Sequence, residues 1–136
     1  MMKRREINER IEANVLVKVA GTIVISDDQK TTFLVQGKQP YEFLSIDSKT
    51  NSETALAIML QYLKDSLRVD IDCLRLEELS MLKGTNKQTL FVFSIHDHEQ
   101  KIIAACTKKQ DLEFVDVAQL QQLFRTVEMD TAPFFD

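Results

Sequence analysis

Glycine, proline and cysteine are scarce in this sequence, at three, two and two residues of 136, and tryptophan is absent. With so few glycines there is no Gly-rich loop to cradle a phosphate and no dinucleotide-binding turn. Cys73 and Cys106 stand alone, without a CxxC pair or a histidine at ligand spacing. That pattern excludes a zinc site or disulfide scaffold and leaves two reduced, buried thiols as the expectation. No Pro/Gly/Ser-rich linker, repeat or low-complexity segment interrupts the chain, so residues 1–136 read as a single domain. The longest apolar, charge-free stretch, Thr54 to Leu63, falls well short of the roughly 20 residues that cross a bilayer, and no membrane partner is expected. After Met1-Met2-Lys3-Arg4-Arg5, the residues Glu6, Glu9, Arg10 and Glu12 stand where a leader's apolar core would lie. The expectation is a cytoplasmic protein without a secretory leader. Positive charge is also short, with 17 Lys+Arg against 21 Asp+Glu and a net charge of −4. Because neutralising a phosphate backbone takes clustered Lys and Arg, no nucleic-acid partner is expected, Lys3-Arg4-Arg5 being the one basic run.

What is present is enough apolar material, 44% of residues, to build a core. After a short stretch with helix-like spacing at Ile7 and Ile11, Asn14–Ser26 alternates Val15, Val17 and Val19 and reads as a strand. Asp27-Asp28-Gln29 turns it back into a second strand, Thr31–Gln36, closed by Gly37, and Tyr41–Ile46 is a further extended piece. Leu56, Met59, Leu60, Leu63 and Leu67 then fall at helical spacing behind Ser52 as N-cap, predicting a helix over 52–67. Val69–Cys73 alternates as a strand, Leu74–Leu82 suits either a strand or a helical turn, and Lys83-Gly84-Thr85-Asn86 turns into the strand Gln88–His96. His96–Gln100 reads as a turn, Lys101–Cys106 as a returning strand and Glu113–Val115 as extended. A second helix is expected from Asp116, with Gln119 in capping-box spacing and Leu120, Leu123, Phe124 and Val127 as its apolar face. The order β-β-β-α-β-β-β-β-α is an α+β domain.

Few residues carry chemistry on their own. His96-Asp97-His98-Glu99 is the densest set of metal-ligand types, but it lacks a third convergent ligand and reads as a polar turn. Tyr62, Asp65 and Ser66 lie at i, i+3 and i+4, opposite Leu56, Leu60, Leu63 and Leu67, which by itself describes a solvated face. Asp70, Asp72, Glu77 and Glu78 read as strand-edge and loop surface. Phe134-Phe135, in the ending Ala132-Pro133-Phe134-Phe135, is expected to be buried against the domain's own sheet rather than across a homodimer interface.

Placed in this order, the elements resemble the Nudix fold, in which a mixed β-sheet is sandwiched between helices and the first long helix follows the third strand. The likeness runs along essentially the whole chain and includes Phe114-Val115-Asp116 leading to Leu120. The family's signature is Gly-x5-Glu-x7-Arg-Glu-U-x-Glu-Glu-x-Gly-U, with U a bulky aliphatic residue. Laid on Gln61–Val69, it puts the upstream Glu on Glu53 and the opening Gly on Asp47. Glu53, Leu63 and Val69 match, and Asp65 is a conservative replacement. The resemblance implies divalent-cation ligands at Tyr62, Asp65 and Ser66, where the family carries glutamates, and an orienting Arg at Gln61. Magnesium prefers hard, charged oxygens, so a neutral phenol and a hydroxyl at two of the three positions impair it. Arg68 takes the place of the helix-ending Gly, which suggests a remodelled helix end. A competing register, with Glu77-Glu78 on the paired glutamates, would need a helix through Val69–Cys73.

Three functions follow from the resemblance. The first is a degenerate Nudix-like domain, catalytically impaired, that binds a nucleotide or other phosphorylated small molecule or serves as an interaction module. The second is a Mg2+-dependent pyrophosphohydrolase of nucleoside-diphosphate-linked compounds, with Asp65 and Glu53 as catalytic and metal-binding groups and Glu77, Glu78 or Asp97 recruited from loops. The third is a structural subunit without a small-molecule site.

Overall fold

The computed structural model describes residues 17–37, 40–48, 54–83, 88–108 and 111–128. Glu53, Ser52, Lys3-Arg4-Arg5 and Phe134-Phe135 lie outside them. Among the described residues seven strands form one sheet in the order β6-β2-β3-β1-β5-β4-β7. They are β1 (Val17–Ser26), β2 (Thr31–Gln36), β3 (Glu42–Ser48), β4 (Leu74–Leu82), β5 (Gln88–Ile95), β6 (Leu112–Asp116) and β7 (Val127–Glu128). The sheet is mixed: β1 runs parallel to β5 and antiparallel to β2 and β3.

β1 sits centrally because its residues are apolar on both faces. Val19 and Ile23 point into one core and Ala20 and Val24 into the other, and β5 does the same with Phe91 and Phe93 against Leu90 and Val92. Thr22, the buried polar residue among these, donates its hydroxyl to the Leu34 carbonyl at 2.8 Å. The β1–β2 turn closes as the sequence predicts. The Asp27 carboxylate accepts the Gln29 and Lys30 N–H groups at 2.8 and 2.9 Å, which holds its pKa below the usual value.

Helix α1 (Ala55–Asp65) and helix α2 (Glu99–Thr107) cover one face of the sheet. A 3-10 turn (Val117–Gln119) and the one-turn helix α3 (Gln121–Phe124) lie on the other, where Leu120, Leu123 and Phe124 pack on Phe33 and Phe43. This is an α+β sandwich, a mixed sheet between helices.

Several sequence expectations are corrected. Thr54, not Ser52, caps α1, its hydroxyl accepting the Ala57 N–H at 3.1 Å. Ile58, Met59, Leu63 and Leu67 are the fully buried residues of this segment, and Leu56 and Leu60 are half-buried flanks. Lys101–Cys106 is helical rather than extended. Ile102 and Cys106, its buried residues, are one helical turn apart. Val69–Cys73 ends in a 3-10 turn (Ile71–Cys73) capped by the Asp70 carboxylate, so it is not a strand. Leu74–Leu82 is a strand, which removes the competing register that placed Glu77-Glu78 on a helix. The helix expected from Asp116 shrinks to the 3-10 turn, capped by the Asp116 carboxylate on the Ala118 N–H, followed by α3.

Candidate functional site

Among the described residues, those singled out by the resemblance fall in two places: Gln61, Tyr62, Asp65, Ser66 and Arg68 at the C-terminal half of α1 and just beyond it, and Asp47 on β3. Gln61, Asp65, Ser66 and Arg68 are exposed at the C-terminal half of α1 and just beyond it. Tyr62 is half-buried and packs against the α1-side core, contrary to the solvated face expected for it. Asp47 lies on β3, paired with Lys18 of β1. Among the described residues no three Asp, Glu, His or Cys groups are placed to hold a metal ion. The donors at the family's cation positions are a packed phenol, one carboxylate and one hydroxyl. They do not fit a magnesium ion, which takes its protein ligands chiefly from carboxylates.

The end of α1 keeps the backbone path that the signature glycine would give. Arg68 itself adopts φ 60°, in the left-handed region, so the helix end is not remodelled as expected. The Tyr62 carbonyl accepts both the Ser66 and Leu67 N–H groups, at 2.9 and 3.3 Å, and Leu63 O accepts from Val69 at 2.9 Å. These bonds turn the chain so that Leu67 and Val69 both return to the core. An L-residue with a full side chain pays about 1 kcal/mol for that conformation, and here the burial of its two neighbours offsets it.

The histidine-rich turn is structural. His96 Nε2 lies 2.6 Å from the Asp72 carbonyl, and the Asp97 carboxylate accepts the His98 N–H at 2.9 Å. His98, at φ 54°, precedes the first turn of α2. Cys73 and Cys106 are free and buried as expected. Burial pushes the Cys106 thiol up to about 12, and burial together with the nearby Asp70 carboxylate raises Cys73.

A groove of about 910 Å³ lies on the sheet face opposite α1, between the β-sheet and α3. Its lining includes Lys18, Ser45 and Asp47 from the sheet, Gln88 at the start of β5, Tyr41 at the mouth and Gln119, Gln121 and Gln122 from the 3-10 turn and α3. The register explains the convergence. Lys18 pairs with Asp47, Ala20 with Ser45, and β5 enters beside β1 with Thr89 opposite Val19. Ser45 Oγ reaches Gln88 Oε1 at 3.3 Å. The lining therefore combines one ammonium, carboxylates, several amides and a phenol, donors and acceptors suited to a polar ligand. Sequence reasoning missed these residues except Asp47. The available signal was a lysine inside the valine run of β1, which places a charge two residues from the buried Ala20 on the same face.

No family model and no curated protein matches this sequence. The fold does match solved structures. Shewanella oneidensis NrtR superimposes with a TM-score of 0.52 at 14% identity over 79% of this chain and 55% of that one. The same protein complexed with a 27mer DNA gives 0.51 at 12% identity, over 79% and 53%. The chain spans about half the length of these neighbours, and the likeness is one of fold. It overturns one expectation, the exclusion of a nucleic-acid partner from the acidic balance. A protein sharing this fold is found with DNA, and binding to a phosphate backbone depends on where cations cluster on the molecule rather than on the net charge of one domain. No helix among the described residues is long and apolar enough to cross a membrane.

Proposed function

We propose that the chain is a degenerate Nudix-like domain that binds a nucleotide or related phosphorylated small molecule without hydrolysing it. The observation that carries this reading is the fate of the cation positions on α1: Tyr62 is packed against the core, Ser66 is uncharged, and Asp65 is the one carboxylate. With one anionic oxygen in place of three, a strongly hydrated Mg2+ has little reason to leave water, and no metal-activated nucleophile forms there. The ligand occupies the groove across the sheet, where Lys18 meets a phosphate and Gln88, Gln119 and Tyr41 meet the polar edges and face of a heterocycle. The two buried free thiols fit a cytoplasmic setting.

Thermal shift over a panel of nucleoside di- and triphosphates and nucleotide sugars tests this reading. A ligand at 100 times its Kd stabilises by roughly 2.7 kcal/mol, which is a readable rise in Tm. Lys18→Ala is expected to weaken binding about tenfold or more, the loss of a charge-assisted hydrogen bond, while Asp65→Ala leaves it unchanged. No shift with any compound contradicts the reading.

A second reading, that this chain binds DNA, comes from the fold neighbour complexed with a 27mer DNA. Duplex DNA therefore belongs in the same panel. Binding to it, insensitive to Lys18→Ala, would favour the second reading over the first.

A further inference from the structure

We propose, resting on the reading of the groove as a nucleotide site, that Asp47 makes it selective for ribonucleotides: the carboxylate takes the ribose hydroxyls of a nucleotide whose phosphate lies on Lys18, and turns further phosphates away. Strand register puts the two groups side by side on one face. Lys18 is two residues from Ala20 on β1, and Asp47 is four from Phe43 on β3. Ala20 and Phe43 both belong to the core on the α3 face, so alternation along each strand aims Lys18 and Asp47 into the groove. They are direct antiparallel partners, a pairing that holds Cα atoms roughly 5 Å apart. Gln88, two residues before the buried Leu90, extends the row from β5 on the other side of Lys18. Among the described residues neither the Lys18 ammonium nor the Asp47 carboxylate takes part in an ion pair or hydrogen bond, and both are exposed. Both are therefore open to a ligand.

The chemistry of the pair decides what the ligand must carry. An ionised carboxylate only accepts hydrogen bonds, so Asp47 has nothing to offer a phosphate and needs O–H or N–H donors. In a nucleotide the donors nearest the phosphate are the ribose hydroxyls, and the two on neighbouring carbons can each donate to one carboxylate oxygen. A 2′-deoxy sugar has lost one of them. Charge narrows the choice further. Lys18 is the one ammonium of the lining, while Asp47 and Glu42 both bring carboxylates, so a first phosphate finds a partner and a second or third meets like charge.

Calorimetric titration of the full chain with ribonucleoside 5′-monophosphates, their 2′-deoxy counterparts and the matching ribonucleoside triphosphates tests the proposal. The ribonucleoside monophosphate is expected to bind about tenfold or more tightly than its 2′-deoxy counterpart, as for one hydrogen bond to a charged group, and its triphosphate no more tightly than itself. Asp47→Ala should bring the ribo-to-deoxy ratio near one and tighten the triphosphate. Lys18→Ala should weaken the ribo and deoxy compounds alike and leave their ratio in place. A ratio taken within one protein does not follow a change in its stability, so a merely structural role for Asp47 would leave it unmoved. Equal binding of ribo and deoxy compounds that still depends on Lys18 overturns the role of Asp47 and leaves the nucleotide site standing. A ratio unchanged by Asp47→Ala, or a triphosphate bound more tightly than the monophosphate, overturns it as well. Binding of none of these compounds overturns both the selectivity and the site.

Discussion

Gly21 is where α1 meets the central strand, and Gly21→Ala measures how tightly the two are joined. A Cβ built at Gly21 would stand 2.7 Å from Met59 Cε and 2.8 Å from Met59 Sδ, closer than carbon and sulfur approach without contact strain. Met59 is wholly buried, so its thioether can move only by displacing its neighbours in the core. Overpacking of this kind costs about 1–3 kcal/mol, and replacing a strand glycine by alanine returns about 0.5–1 kcal/mol. Because the clashing atoms are the end of a flexible side chain, the net loss is expected near 1 kcal/mol. Met59→Ala alone should cost about 2–5 kcal/mol by leaving a cavity. In the double variant the new methyl enters that cavity, so the combined cost should fall short of the sum by about 1 kcal/mol or more. Urea unfolding of the four proteins reads the coupling directly. Costs that add within about 0.5 kcal/mol would refute the contact, and with it the seating of α1 on β1.

Arg68→Gly should stabilise by up to about 1 kcal/mol in the same assay, since glycine adopts φ 60° without the Cβ penalty, whereas Arg68→Val should destabilise. Leu63→Ala should cost about 2–5 kcal/mol and Lys64→Ala less than about 0.5 kcal/mol, equal costs being the contrary result. The Cys106 thiol titrates near 12 in the folded chain against an ordinary value of 9.0, so above pH 9 the unfolded chain holds fewer protons than the native one. Stability should therefore fall as pH rises from about 9 towards 12, and the fall should be shallower in Cys106→Ala.

The sequence was most legible where burial is two-sided or strictly alternating. β1, β2 and β5 could be read directly because β-branched and aromatic residues fill both faces, and α1 because its leucines keep one turn's spacing. α2 was not legible. His98 enters it in the left-handed conformation with no side-chain cap, so the usual N-terminal marker is missing, and Ile102-Ile103 reads as readily extended as helical. Tyr62 was placed on a solvated face because helical spacing alone does not show how far the sheet extends under that face. Beyond the lone lysine in the valine run of β1, the groove could not be read, since Lys18, Ser45 and Gln88 meet only through strand register. Asp47 was found through the resemblance, yet it lies with Lys18 in the groove and not with Asp65.

The central claim is that the α1 positions no longer support metal-dependent hydrolysis while the groove still binds. Purified protein incubated with nucleoside diphosphates, triphosphates and nucleotide sugars, with magnesium or manganese and with chelator, is assayed for phosphate-derived products alongside binding. The account predicts a ligand bound equally with metal and with chelator, and no product above background. Turnover within the roughly 1–1,000 per second of typical enzymes, abolished by chelator and by Asp65→Ala, would contradict it and restore the hydrolase.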